Sequence, residues 1–380
     1  MNVMKRVMVL LVFGLLLPVL GHAAQQGNCA SETTLAGRSD VVFCEPWESS
    51  TWWQNNNYEG DGAKITATPV SSGDVASTSI VSSGCLSGSC LRVDMKQYVS
   101  GALALHWPLK AAGVAPEELY LRYYLKLGDN FDPSLCSSDG VYQDNGGKFP
   151  GLADVRTNAD PSGQCGNGGA YADGINCWSG RLKFRNCGGS GGADICAADI
   201  AGKNATTRLG WYHYVPPAVA NNNQEMGPFD NQGWGTNLYG ATGGTSCASS
   251  PTNLGSTGSD ATSCGKGAAG LVNGVWYLVE LYVKMNTPGV ADGVSRAWIN
   301  GELKYDKTNM LYRMPGHDNL HVRTIWLNVH AGGEAMGLCT ASYIMLDQLV
   351  AATGARVGAF GGSAAVDTTP PAVPTGVFIK

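Results

Sequence analysis

Three stretches of this chain carry residues whose types and spacing suit the handling of an anion. The first is Gly146-Gly147-Lys148-Phe149-Pro150-Gly151-Leu152. Glycine frees the backbone on either side and proline fixes the exit angle, so the spacing predicts a tight turn holding one lysine. That lysine is either a solvated turn residue or a fixed cation. The second is Trp178-Ser179-Gly180-Arg181-Leu182-Lys183-Phe184-Arg185. Read as a strand, it puts Ser179, Arg181, Lys183 and Arg185 on one face and Leu182 and Phe184 on the other. Three cations on one strand face repel each other. The face is therefore a solvated exterior or a groove for an anionic ligand. The third is Trp211-Tyr212-His213-Tyr214-Val215, ended by Pro216-Pro217. Tyr212 and Tyr214 share a face, opposite Trp211, His213 and Val215. A tyrosine pair at this spacing ordinarily signals strand packing.

Elements of period two surround these stretches. The clearest runs from Leu119 to Leu127, with Leu119, Leu121, Tyr123, Leu125 and Leu127 inward and Tyr120, Arg122, Tyr124 and Lys126 on a polar face. Trp276 to Met285 alternates with Tyr277, Val279, Leu281 and Val283 inward. Thr324 to His330 puts Ile325, Leu327 and Val329 on one face and Trp326, Asn328 and His330 on the other. Shorter strands are predicted at Val41–Phe43, Leu91–Val93, Leu103–Leu105, Ala297–Ile299 and Ile344–Val350, with Asn300-Gly301 as a hairpin turn. Trp52 and Trp53 are read as core. No segment shows a helical period. Residues 221–270 form a long polar, glycine-rich stretch, the signature of a lid, a binding loop or a disulfide-tied excursion. Many strands and long loops indicate an all-β sandwich of jelly-roll type.

The chain has 380 residues, 44% hydrophobic and 14% charged, which suits one large β domain or two small ones. Lys5 and Arg6 precede an apolar run from Val7 to Leu20 that ends at Gly21-His22-Ala23-Ala24, a secretory signal too short for a comfortable membrane span. The predicted organisation is signal 1–24, sandwich 25–365 and a proline-rich tail 366–380, with export to the periplasm or exterior. All 12 cysteines follow the signal, and an even count in an exported chain reads as disulfides tying long loops. Local candidates are Cys85 with Cys90, Cys187 with Cys196, and Cys247 with Cys264. No Cys-x-x-Cys pair occurs, so no metal centre is assigned. Asn204-Ala205-Thr206 is a glycosylation sequon. The formal charge of −5 becomes about −7 once Lys5 and Arg6 leave with the signal. An acidic protein is a poor general partner for nucleic acid, so any polyanion needs a local cationic strip.

Taken in order, these motifs resemble a known family. Leu119-Tyr-Leu-Arg-Tyr-Tyr-Leu, Gly-Gly-Lys148-Phe-Pro-Gly-Leu, Ser179-x-Arg181 and Tyr212-x-Tyr214 are similar to the jelly-roll alginate and glucuronan lyases, polysaccharide lyase families 14 and 20. Gly274-Val-Trp-Tyr-Leu-Val-Glu-Leu-Tyr-Val-Lys, the run from Asp292 to Gly301, and Ile325-Trp-Leu-Asn-Val resemble that family too. The resemblance spans roughly residues 90 to 350. It implies machinery at Lys148, Ser179, Arg181, Tyr212 and Tyr214. The cysteine-bearing insertions 153–177, 186–203 and 221–270 depart from it, as do His330 and Ala331.

Such a lyase removes the proton beside a uronate carboxylate and expels the 4-linked oxygen. Charge builds on the carboxylate, and fixed cations stabilise it. Lys148 and Arg181 suit that task, Arg with two bonds. A free phenol has a pKa near 10, and nearby cations favour its ionised form, so Tyr212 and Tyr214 are the expected acid and base. Ser179, Lys183, Asn328 and His330 are assigned to substrate binding, and His213, on the opposite face, to the core. The expected partner is an acidic polysaccharide, alginate or glucuronan, met by a monomer with no membrane or nucleic-acid role. No cofactor is required, and a structural calcium ion is left open. Two alternatives stand: a non-catalytic carbohydrate-binding sandwich, and a glycoside hydrolase using Glu280 with Glu302 or Asp347.

Overall fold

The computed structural model describes residues 32–361, apart from 56–57, 61–69, 110–114, 144–145, 156–171, 173, 187–195, 198–203, 206, 217–235, 238–269 and 333–335. The signal segment, the tail, the proposed Cys187–Cys196 and Cys247–Cys264 bridges, Thr206 of the sequon and nearly all of the 221–270 stretch lie outside the described residues.

The strands in chain order are β1 (Val41–Glu45), β2 (Glu59–Gly60), β3 (Thr78–Val81), β4 (Cys90–Met95), β5 (Gly101–Pro108), β6 (Glu118–Leu127), β7 (Leu135–Ser137) and β8 (Tyr142–Gln143). There follow β9 (Gly147–Val155), β10 (Cys177–Asn186), β11 (Cys196–Ala197), β12 (Asn204–Ala205), β13 (Thr207–Tyr214), β14 (Thr236–Asn237) and β15 (Gly270–Leu271). The last are β16 (Trp276–Lys284), β17 (Gly293–Ile299), β18 (Glu302–Met310), β19 (Thr324–Ala331), β20 (Met336–Leu338) and β21 (Ser342–Ala352). One four-residue helix, Trp52–Asn55, interrupts them. Trp52 is buried in the core and Trp53 packs on its edge.

Two eight-stranded antiparallel sheets form the jelly-roll sandwich. The first runs β18-β17-β16-β6-β21-β4-β3, with β1 added beside β21. The second runs β14-β13-β10-β9-β19-β5-β2, with β15 added beside β13. The alternating apolar residues of β6, β16 and β19 meet between the sheets: Leu121, Tyr123, Leu125, Val279, Leu281, Ile325 and Leu327 are all fully buried. Asn300 and Gly301, at φ 52° and 82°, make the tight turn between β17 and β18, a backbone that Asn and Gly accept most readily.

One expectation needs completing and one needs correction. The polar face of β6 is not open to solvent throughout. Segments 32–40 and 353–361 lie across it, so Arg122 is fully buried and grips Glu32 with two bonds of 2.5 and 2.6 Å. The Tyr124 hydroxyl accepts the Phe360 amide there at 2.8 Å. The Gly146–Leu152 stretch is not a turn either. Its residues from Gly147 onward belong to β9, and Pro150 is the extra residue of a β-bulge, since Gly151 pairs with Arg181 while Phe149 pairs with Leu182. A bulge tolerates a residue without an N–H, which is why proline can sit inside a strand paired on both sides. The Pro150 carbonyl accepts the Tyr123 hydroxyl from the facing sheet at 3.1 Å.

The Cys85–Cys90 bridge is present, and a second bridge, Cys136–Cys339, joins segments 203 residues apart. Cys44 and Cys177 are disulfide-bonded as well. Among the described residues no cysteine is free and no helix is long and apolar enough to cross a membrane.

Candidate active site

The outer face of the second sheet gathers the residues singled out above. β13 supplies Tyr212 and Tyr214, β10 supplies Ser179, Arg181 and Lys183, β9 supplies Lys148, and β19 supplies Asn328 and His330. Register brings them together. Ser179 pairs with Tyr214 and Arg181 with Tyr212. Lys183 pairs with Lys148, and Lys148 with His330 on the other side.

The bulge decides which face Lys148 occupies. Gly151 shares the cleft face with Arg181. Strict alternation from Gly151 would put Phe149 on that face and Lys148 in the core. The extra residue Pro150 shifts the phase by one, so Phe149 is fully buried beside Leu182 and Lys148 joins the cations. Gly151 itself permits the tight approach of β9 to β10: a Cβ there would lie 2.1 Å from the Gly180 carbonyl oxygen and 2.5 Å from the Arg181 Cα.

Arg181 is the hub. Its Nη1 donates to Asn328 Oδ1 at 3.0 Å. Its guanidinium lies 4.0 Å from the Trp326 ring centroid and 5.7 and 5.4 Å from those of Tyr212 and Tyr214. The two phenol oxygens are hydrogen-bonded to each other at 2.8 Å. The ammonium groups of Lys148 and Lys183 stand 5.4 and 5.1 Å from the Tyr212 ring. Lys148 also donates to the Gly332 carbonyl at 3.5 Å.

Burial strengthens all of these interactions. Arg181, Lys183, Tyr212 and Tyr214 are 1%, 6%, 3% and 5% exposed, so little water screens the charges. Burial, with the charges of Arg181 and then Lys183, brings Lys148 down from 10.5 to about 7. Burial, then Lys148 and Arg181, holds His330 down at about 3. The sequence assigns Lys148 as a fixed cation and His330 to substrate binding; burial makes His330 a neutral imidazole at any ordinary pH.

Two members of the site were not anticipated. Alternation gives Trp326 only the face it shares with Asn328 and His330, yet it stacks under the Arg181 guanidinium. His106 on β5 pairs with Trp326 in register and packs edge-on against its ring at 4.8 Å. Burial and then Arg181 hold His106 at about 3. The strand expected at Leu103–Leu105 stops one residue short of it, and β19, which carries Trp326, is remote in sequence from β5. The side chain of Arg185 lies outside the described residues. His213 points into the sandwich, where its Nε2 meets the Ser295 hydroxyl of β17 at 2.9 Å.

The carboxylates considered for hydrolysis are elsewhere. Glu280, Glu302 and Asp347 belong to β16, β18 and β21 of the other sheet. Glu280 pairs with Arg356 and accepts the Gly358 amide, and Glu302 pairs with Lys304 at 2.9 Å. Asp347 accepts amides of the Cys85–Cys90 loop. Among the described residues, no three His, Cys, Asp or Glu side chains gather as a metal site. The cleft can hold a carboxylate among Arg181, Lys183 and Lys148, the last as ammonium or as amine, and offer it two phenols.

The family model for polysaccharide lyase 14 matches residues 229–343. That stretch includes Trp326, Asn328 and His330 and stops short of β9, β10 and β13. Among solved structures, the chain is similar to alginate lyase vAL-1 from Chlorella virus, at 15% identity and TM-score 0.48, over 82% of this chain and 99% of that one. It is similar to the PL-14 alginate lyase from Aplysia kurodai at 16% identity and TM-score 0.45, over 73% and 87%. It is similar to an endo-beta-1,4-glucuronan lyase from the fungus Trichoderma reesei at 11% identity and TM-score 0.34, over 73% and 86%. No curated protein sequence matches the chain.

Proposed function

We propose that this chain is an exported polysaccharide lyase that cleaves a uronate-containing polysaccharide, alginate or a glucuronan, by β-elimination. The observation that carries the reading is the buried cluster of Arg181, Lys148 and Lys183 around the Tyr212–Tyr214 pair. A carboxylate entering it meets Arg181 already oriented by Asn328 and Trp326, so little reorganisation remains at the moment of reaction. The C5 proton of the uronate moves to a base on the protein. The C4–O4 bond breaks as the C4=C5 double bond forms, and O4 takes a proton from an acid. Cations facing the carboxylate stabilise the charge that accumulates on it between these events.

The hydrogen bond shared by the Tyr212 and Tyr214 hydroxyls supports the reading that this pair passes that proton. A second assignment of the base is favoured by one observation. Lys148 titrates at about 7, so near neutral pH a large share of it is a free amine that can accept a proton. The two assignments differ in pH behaviour. An amine base gives activity that rises through about 7, whereas a lysine needed only as a cation gives activity that falls there.

The deciding experiment is incubation of the purified protein with a panel of uronate polymers. The expected result is ultraviolet absorbance from the new conjugated double bond. New reducing ends without that absorbance would mean a hydrolase. Retention of uronate chains without any cutting would mean a binding module.

A further inference from the structure

The placement of Lys183 opposite Lys148 is unfavourable unless it is used. The two are direct cross-strand partners on β10 and β9, and like charges so placed destabilise a sheet. Lys183 is 6% exposed, so solvent relieves little of the repulsion. Both ammonium groups lean on the same ring, at 5.1 and 5.4 Å from the Tyr212 centroid. The pairing exists only because the Pro150 bulge turns Lys148 onto this face.

We propose that Lys183 is a positioning residue of the cleft: facing Lys148 across the strand pair and sharing the Tyr212 ring with it, it governs when Lys148 carries its proton. Its effect on turnover rests on the lyase reading above; its effect on Lys148 does not.

Among the described residues, the titratable and charged groups around Lys148 come from four neighbouring strands. β10 presents Arg181 and Lys183, β13 presents Tyr212 and Tyr214, β19 presents His330, and beyond it β5 presents His106. The two histidines are kept neutral by burial. The charges that act on Lys148 are those of Arg181 and Lys183, and with burial they bring it to about 7. Arg181 keeps its charge at every working pH and is committed to Asn328 and Trp326. Lys183 can be exchanged without undoing that grip. One like charge at roughly 10 Å in a buried setting moves a titration by about one pH unit. A uronate carboxylate has the opposite sign, so its arrival returns the proton to Lys148.

The test compares the wild type with Lys183→Met and Lys183→Arg. In kcat/KM against pH on alginate and on a glucuronan, the limb belonging to Lys148 should move up by about one unit in Lys183→Met. It should return to its place in Lys183→Arg, which keeps the charge. The direction of movement is the same whether Lys148 acts as base or as cation. A Lys183→Met enzyme that is slower at every pH with the limb unmoved would make Lys183 merely structural and overturn the proposal. A second measurement needs no turnover. Trace acetylation of Lys148 with acetic anhydride, read by mass spectrometry as a function of pH, reports its protonation directly. Its onset should also move up in Lys183→Met. An onset that moves in a protein inert on every polymer would sink the lyase reading and leave the proposal standing. An onset fixed in Lys183→Met would sink the proposal whatever the activity.

Discussion

Replacing Lys148 with methionine should end activity and, at the same time, make the protein more stable. Lys148 ordinarily titrates at 10.5 and is held at about 7 by burial and by Arg181 and Lys183. At 1.36 kcal/mol per pKa unit, that gap sets the strain of keeping the ammonium charged in place at about 5 kcal/mol. Methionine keeps most of the length and none of the charge, so roughly 2–5 kcal/mol of that strain should be recovered. The sign follows from proton counts. Between about 7 and about 10.4 the unfolded chain holds a proton on this lysine that the folded chain has released, so wild-type stability climbs with pH through that window. Below it the full strain is present. The gain in Lys148→Met should therefore be largest near pH ~6 and nearly gone near pH ~10. Urea unfolding followed by tryptophan fluorescence, with disulfides intact, measures it. With a slope of about 3 kcal/mol/M, the midpoint should rise by about 1 M at the lower pH with the slope unchanged. A fall in stability, or a gain equal at both pH values, would refute the account of Lys148 as a strained, functional cation.

Tyr212→Phe and Tyr214→Phe each keep the ring and remove one hydroxyl; at least one should lose about 10²-fold in kcat with substrate binding retained, and full turnover in both would remove the tyrosines from proton transfer. Gly151→Ala would drive a methyl into the Gly180 carbonyl 2.1 Å away, so thermal unfolding should show a loss of about 1–3 kcal/mol and turnover should drop with it as Arg181 is displaced. Serine at both Cys136 and Cys339 opens a link between segments 203 residues apart and should lower stability by about 2–5 kcal/mol. His106, held at about 3 against an ordinary 6.5, stays neutral in the fold while the unfolded chain takes up a proton. Stability should therefore fall as pH drops from about 6.5 toward 3, and His106→Phe should shallow that fall in acid-unfolding curves.

Alternation made much of this molecule legible. On β6, β16 and β19 every residue placed inward from the sequence is buried, because a strand between two sheets has only two faces and period two reports them directly. The same rule put Ser179, Arg181 and Lys183 together, and Tyr212 with Tyr214. It failed where pairing overrode local chemistry. Phe149-Pro150-Gly151 has the composition of a turn, yet β10 pairs with Phe149 and Gly151, and β19 with Gly151 and Lys148, so the stretch stays within the strand. Trp326 and His106 entered the site through strand order, which no local pattern encodes. The burial of Arg122 on the polar face of β6 carries no local signal, because its partner Glu32 lies 90 residues away. Cys136 and Cys339 carry no spacing signal at all, and a bridge between them is visible only once β7 and β20 lie side by side.

The bulge at Pro150 makes the cleft depend on strand register as well as on composition. Take Pro150 into the ladder opposite Leu182 and every residue before it turns over: Phe149 faces outward among the tyrosines and Lys148 faces the apolar interior. No side chain has been altered, yet Lys148 has left the cleft while Arg181 and Lys183 stay. Deleting Pro150, by contrast, leaves Phe149 opposite Leu182 and Lys148 opposite Lys183. Comparisons between chains of this architecture should accordingly ask which residue of this strand stands opposite Lys183, and not only whether a lysine is present.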